Sequence, residues 1–332
     1  MKRSFSFSRA GSGVLLGAAL LALTSCGGGP SHDPSEFYYL ITTNKQLPYW
    51  QEAQAGFQKA ARELGVRAEM VGPDTYDPQA ERDEFRRIMA KKPTGILISV
   101  ANPSVIQPEI DAAIAAGVPV MTVDSDSPGK RLLFVGTDNY RAGLMGGERA
   151  AELLGGKGTV VVYTMPEQQN LRDRLSGYKE IFDARGIKIA EVVDIKGDPT
   201  VAFDRSMEIV DKIKPDGFIC LEAVACAEVA DVLGRKNVTG KVVVAMDTDQ
   251  RTLELIEKGV ISATIAQKPY TMAFFGLKVL ADLHLHPLPS LDKKWAEDSF
   301  SPLPVFIDTG VVLVDKNNVS SFLNARDSAT GK

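Results

Sequence analysis

Cysteine and histidine are scarce in these 332 residues, three of each, and tryptophan occurs only twice. With so few thiol or imidazole groups, no cluster has metal-ligand spacing. His284 and His286 sit two apart in a leucine-rich run near a helix end, a placement that does not point to a ligand pair. No G-x-S-x-G, no H-E-x-x-H and no glycine fingerprint after a first strand is present. Nothing therefore calls for an enzyme, a metal or another cofactor. Gly155-Gly156-Lys157-Gly158 lacks the phosphate-loop spacing and reads as a turn from a helix into a strand. Positive charge is short as well, with 38 basic residues against 42 acidic ones. A nucleic acid partner, which calls for a basic face, is disfavoured on that ground.

The apolar run from Val14 to Leu23 is too short to span a bilayer, and it follows the basic residues Lys2, Arg3 and Arg9. It reads as an export signal covering residues 1–25 rather than as part of the fold. Leu23-Thr24-Ser25-Cys26 closes it. This stretch resembles a bacterial lipobox, which implies lipidation of Cys26 as the first residue of the mature chain. Gly27-Gly28-Gly29-Pro30-Ser31 opens a flexible tether, residues 26–36, with no means of packing. The expected address is the cell envelope, lipid-anchored on the periplasmic or extracytoplasmic side. Without residues 1–25 the chain holds 35 basic and 42 acidic residues, net −7. Cys220 and Cys226 are spaced for a local disulfide. Ile219, Leu221 and Val224 around them instead favour two small buried residues.

From Glu36 onward apolar runs alternate between two periodicities. Strands are predicted over 37–43, 66–71, 95–100 and 117–124, with helices over 50–64, 79–91 and 108–116 between them. A second series of similar length follows the strand 132–136. Its helices cover 141–154, 172–184, 201–213 and 223–233, and its strands 159–163, 187–193, 217–221 and 241–245. A further helix over 271–283 and a late strand over 305–315 complete the pattern. Such alternation specifies parallel sheets with helices on both faces, an α/β fold. A mature chain of about 300 residues suits two domains. Gly117-Val-Pro-Val-Met-Thr-Val-Asp124 is the central stretch: a β-branched strand that ends on an acid. In an open parallel sheet the carboxyl ends of the strands line the ligand crevice, so Asp124 is a candidate acceptor for a ligand.

Seven short stretches carry a family likeness. They are Pro48-Tyr49-Trp50, Val123-Asp124, Gly136-Thr-Asp-Asn139, Arg172-Asp-Arg174-Leu-Ser-Gly-Tyr178, Phe203-Asp-Arg205, Met246-Asp247 and Ala263-Thr-Ile-Ala-Gln267. In order and spacing they resemble the periplasmic sugar-binding proteins of ABC importers, the ribose-binding type I group, from about Phe37 to Asn318. The resemblance implies two Rossmann-like lobes joined by a three-crossing hinge near Thr137-Asp138, Lys268 and Thr309. It puts residues 37–137 and 268–308 in one lobe, residues 138–267 and 309–325 in the other, and a sugar between them. It carries ligand-binding roles to Thr43, Tyr49, Trp50, Asp124, Arg174, Phe203, Asp247 and Gln267. Aromatic rings suit the C–H faces of a sugar, and carboxylates and a guanidinium suit its hydroxyls.

Three positions depart from that pattern. Leu47, Ser125 and Glu222 stand where the ribose-binding group has asparagine, arginine and asparagine. The site thus loses a cation and gains an acid, leaving Asp124, Glu222 and Asp247 against Arg174. Asp126, Gln168, Gln169 and Asn170 lie near these positions as replacements. The expectation is a monomeric solute-binding lipoprotein that captures a small sugar and delivers it to an ABC transporter permease. The alternative ligand is a polyol, an amino sugar or a sugar-derived signal such as autoinducer-2. A transcriptional repressor's effector domain shares this fold, but such a chain begins with a basic helix-turn-helix where this one has an export signal.

Overall fold

A computed structural model describes residues 1–2 and 31–330. The chain divides into two compact units, Met1–Ser31 and His32–Lys332, and both sheets lie in the second. The lipobox with Cys26, residues 3–25 of the expected signal and residues 26–30 of the tether lie outside the described residues.

Strands β1 (Phe37–Ile41), β2 (Arg67–Val71), β3 (Gly95–Ile98), β4 (Val120–Val123) and β5 (Phe134–Gly136) come first. Helices α1 (Pro48–Leu64), α2 (Pro78–Met89) and α3 (Pro103–Ala115) alternate with them. The second series runs α4 (Asn139–Leu153), β6 (Gly158–Thr164), α5 (Gln169–Arg185), β7 (Ile187–Asp194) and α6 (Pro199–Lys212). It continues with β8 (Gly217–Cys220), α7 (Ala225–Arg235), β9 (Val242–Met246), α8 (Gln250–Glu257) and β10 (Ala263–Ala266). Helix α9 (Pro269–Leu285), strands β11 (Phe306–Asp308) and β12 (Val312–Asp315) and helix α10 (Val319–Thr330) close the chain.

The first sheet has the order β11-β5-β4-β3-β1-β2 and the second β12-β10-β9-β8-β6-β7. All neighbours are parallel except β12, which runs antiparallel to β10. Helices cover both faces, so the central strands are apolar throughout: Gly95-Ile-Leu-Ile98 and Val120-Met-Thr-Val123 are buried at every position. Each sheet has its own core, around Phe57 and Ile96 in one and Phe182 and Phe218 in the other. Helix starts are fixed locally. Asp77, Asn102 and Asp198 each accept backbone N–H groups in the first turn of α2, α3 and α6.

The chain passes between the sheets after β5, after β10 and between β11 and β12. The first and third of these connections are bonded to each other. The Thr309 N–H donates to the Gly136 carbonyl at 2.8 Å, and the Asp138 N–H to Asp308 Oδ1 at 3.2 Å. Just beyond, α4 and α5 cross very closely. A Cβ on Gly143 would stand 2.1 Å from the Arg174 carbonyl oxygen, and one on Gly177 would stand 2.3 Å from that of Tyr140. Glycine at both positions is what lets α5 bring Arg174 against Asn139 on α4.

Three expectations are corrected here. The late strand over 305–315 is two strands in different sheets, broken where Gly310 takes φ 75°. Residues 32–36, expected in the tether, are tied to the body. The Glu36 carboxylate is 3% exposed and accepts the Tyr38 hydroxyl at 2.7 Å, with His32 Nδ1 at 3.0 Å from it. Cys220 and Cys226 are buried as expected but are disulfide-bonded. The end of β8 and the first turn of α7 bring their Cα atoms within 5.7 Å, inside the range a bridge requires.

Candidate ligand-binding cleft

The carboxyl ends of the two sheets' strands meet at one cleft enclosing about 570 Å³ of space, open solvent included. Two acids mark its floor in a matched way. Asp124 directly follows β4 and Asp247 directly follows β9, and both take left-handed backbone angles, φ 63° and 69°. Residues other than glycine seldom sit there, and such strain collects at functional sites. Both side chains are buried, 7% and 8% exposed.

Each carboxylate is held from its own side. The Tyr49 hydroxyl donates to Asp124 Oδ1 at 2.7 Å and Ser99 Oγ to Oδ2 at 3.3 Å. Gln267 Nε2 donates to Asp247 Oδ1 at 2.9 Å. Arg174 is 2% exposed and bonded through most of its N–H groups. Its Nη2 donates to Asn139 Oδ1 at 2.5 Å and to Gln267 Oε1 at 3.3 Å, and its Nη1 donates to the Leu221 carbonyl. Gln267 therefore connects the guanidinium to Asp247 from a crossing between the sheets.

Glu222 completes the acid set. Its carboxylate accepts the N–H groups of Val224 at 2.6 Å and Ala225 at 3.0 Å, where α7 begins. Burial pushes the carboxyls of Glu222 and Asp247 up to about 7, and Arg174 offsets only part of that rise. Burial also raises Asp124, against the pull of Tyr49 and Arg174. One cation faces three carboxylates, and the cleft favours a partner that donates hydrogen bonds or carries positive charge.

Thr43, Tyr49, Trp50, Asp124, Asn170, Arg174, Glu222, Asp247 and Gln267 all line this cleft, as do Leu47 and Gln168. Trp50 also belongs to the first sheet's core and meets the Tyr49 ring edge-on, with centroids 5.1 Å apart. Two candidates are not brought in. Phe203 lies one turn into α6 and packs against the second sheet's core, with the Arg235 guanidinium 5.0 Å above its ring. Ser125 is fully buried beside the cleft floor, because the left-handed turn at Asp124 carries the chain back against Val123. Asp126 pairs with Arg131 and Gln169 bonds to Asp173, so neither reaches this space. Tyr76, Met165 and Gly197 line the cleft unforeseen, from loops after β2, β6 and β7. Their place just past strand ends was the available signal.

The periplasmic binding protein domain family matches residues 38–285. The chain belongs to that family. The ribose import binding protein of Bacillus subtilis (strain 168) is 28% identical over 278 residues, spanning 77% of this chain and 87% of that protein. The sugar-binding protein of a sugar ABC transporter from Bacillus halodurans is 32% identical, with a TM-score of 0.74 over 86% of this chain and 99% of that one. A solute-binding protein of Burkholderia graminis solved with D-arabinose is 25% identical, with a TM-score of 0.79 over 87% and 98% of the two chains. The two-sheet α/β architecture is that of the type I periplasmic binding proteins. Among the described residues no helix is long and apolar enough to cross a membrane.

Proposed function

We propose that this chain is the solute-binding component of an ABC importer, holding a small sugar in the cleft and presenting it to a permease without altering it. The observation that carries this reading is the pair of strand-end carboxylates, one from each sheet, lining the same cleft with Arg174. Carboxylates accept sugar hydroxyls in charge-assisted bonds and a guanidinium donates to two at once. Thr43, Gln168, Asn170, Glu222 and Gln267 add neutral or weakly charged partners, and Tyr49 and Trp50 offer ring surface for C–H faces. The ribose and arabinose named for its relatives support the sugar class.

Anchoring by lipid at Cys26, on the extracytoplasmic side, is part of the same reading and rests on Leu23-Thr-Ser-Cys26. So is a monomeric chain. The excess of acid over base in the cleft favours, as a second reading, a ligand that carries an amine.

A thermal-shift screen over pentoses, hexoses, inositols and amino sugars tests the function. A ligand at 100 times its dissociation constant adds about 2.7 kcal/mol. A clear rise with one sugar group supports the reading, and no rise with any member overturns it.

A further inference from the structure

The cleft does not end at Asp247. A second chamber of about 720 Å³, open solvent included, continues from it between the same two halves of the molecule. Leu47, Tyr49, Val224, Asp247 and Gln267 border both spaces, so the two adjoin. The charges of the second chamber are uneven. Arg251 is paired with Glu228 at 2.6 Å, and Arg326 reaches Glu52 at 3.4 Å. Among the described residues neither Asp247 nor Asp249 has such an ion pair, and Asp247 is instead offset in part by Arg174. Asp249 spends Oδ1 on the Thr252 N–H at 3.1 Å, and its buried Oδ2 has no hydrogen-bond partner. Two carboxylates thus stand without an ion pair at the joint between the chambers, Asp247 offset only in part by Arg174 and Gln267.

We propose that the chamber is a second subsite that takes an extension of the sugar carrying a basic nitrogen, so that the ligand is an amine-bearing sugar larger than one ring. This rests on the reading of the cleft as a sugar site. An ammonium set between Asp247 and the half-buried Asp249 gains two charge-assisted bonds and offsets the cost of burying Asp247. A single neutral ring leaves both that cost and the chamber's space unused. Burial already holds Asp247 near 7, as expected for a carboxylate awaiting a counter-charge.

The experiment compares D-ribose, D-glucose, D-glucosamine, cellobiose and the β-1,4-linked glucosamine dimer by melting shift and calorimetric titration near neutral pH. The glucosamine dimer should bind tightest, and cellobiose should bind more weakly by roughly tenfold, the factor of about 1.4 kcal/mol. Asp249→Asn retains an oxygen for the Thr252 N–H and removes the charge. It should erase most of the dimer's advantage and leave the binding of single sugars unchanged. Tightest binding by a neutral single sugar, with the dimer excluded, overturns the subsite and keeps the sugar cleft. A dimer that binds Asp249→Asn as well as wild type also overturns it. No binding by any of the five overturns the subsite, and failure across the wider monosaccharide screen then rejects the sugar reading with it.

Discussion

At the scale of single residues the molecule concentrates buried charge where it gains least from water. Arg174 is the one cation among the described cleft-lining residues, and it is bonded to Asn139, Leu221 and Gln267 before any ligand is considered. Arg174→Ala should weaken sugar binding by about 2–5 kcal/mol, as when a buried charged pair loses one partner. It should also lower the melting temperature, since the Leu221 carbonyl and Asn139 lose their donor. Arg172, whose guanidinium bonds the Pro166 and Glu167 carbonyls on the surface, is the control. Arg172→Ala binding almost normally, with Arg174→Ala impaired, is the expected calorimetric result. The reverse would misplace the site.

Glu81 gives a second residue-level expectation. It is fully buried on α2, accepts only the Ala101 N–H at 3.1 Å, and burial pushes it up to about 8. An acid whose folded value is raised stabilises the fold below its ordinary value near 4.5, and that contribution disappears as pH climbs through about 8. Glu222 and Asp247 act in the same direction through about 7. The ligand-free protein should therefore melt lower at pH 8 than at pH 5. Glu81→Gln, which keeps an acceptor for Ala101, should recover part of the difference, at about 1.4 kcal/mol per unit of displacement. Parallel pH profiles for variant and wild type would refute this.

At the scale of elements, the wall of the cleft between β8 and α7 is a closed loop. The Cys220–Cys226 bridge ties its ends, and Glu222, Ala223 and Val224 inside it all line the cleft. The Cys220→Ser, Cys226→Ser double variant should lose about 2 kcal/mol of stability, the loop-closure value for so short a ring. It should also show faster amide exchange at residues 221–225 and weaker sugar binding. Unchanged exchange there would mean that the bonds from Glu222 to the start of α7 hold the loop unaided. The sequence made the alternation of strands and helices plain, and with it the acid at the end of β4, because buried parallel strands are continuous apolar runs that stop abruptly. Asp247 came only through the family resemblance. It did not disclose which face of α6 carries Phe203, since one aromatic a turn inside a helix fits either a core or a cleft. Nor could spacing decide the disulfide, which depends on how the end of β8 meets α7. Tyr76 and Gly197 were marked only by their place past strand ends, because their role arises only where two lobes touch.

That contact operates at the scale of the whole molecule. Tyr76 follows β2 on the first sheet's side yet packs against the second sheet's core, and its hydroxyl donates to the Ala101 carbonyl at 2.8 Å. Asn102 reaches Glu167 at 3.3 Å, and Arg326 reaches both Glu52 and the Thr248 carbonyl, so the two halves are joined on more than one side of the cleft. If the halves close on a ligand by a hinge motion, contacts of this kind would hold the closed form, and a ligand would shift the population by its preference for that form. Gly197 then stands where closure would be limited. A Cβ there would stand 2.6 Å from Tyr76 Cβ, and its φ of 70° disfavours a side chain besides. Gly197→Ala should cost its own lobe roughly 1–2 kcal/mol through the left-handed backbone alone, yet hold the halves apart. The expected signature is weaker sugar affinity together with a larger radius of gyration in X-ray scattering at saturating sugar. Tyr76→Gly in the same chain removes the colliding Cβ and should restore closure in part. If Gly197→Ala closes as tightly as wild type around sugar, the contact between Tyr76 and Gly197 is not what limits the hinge.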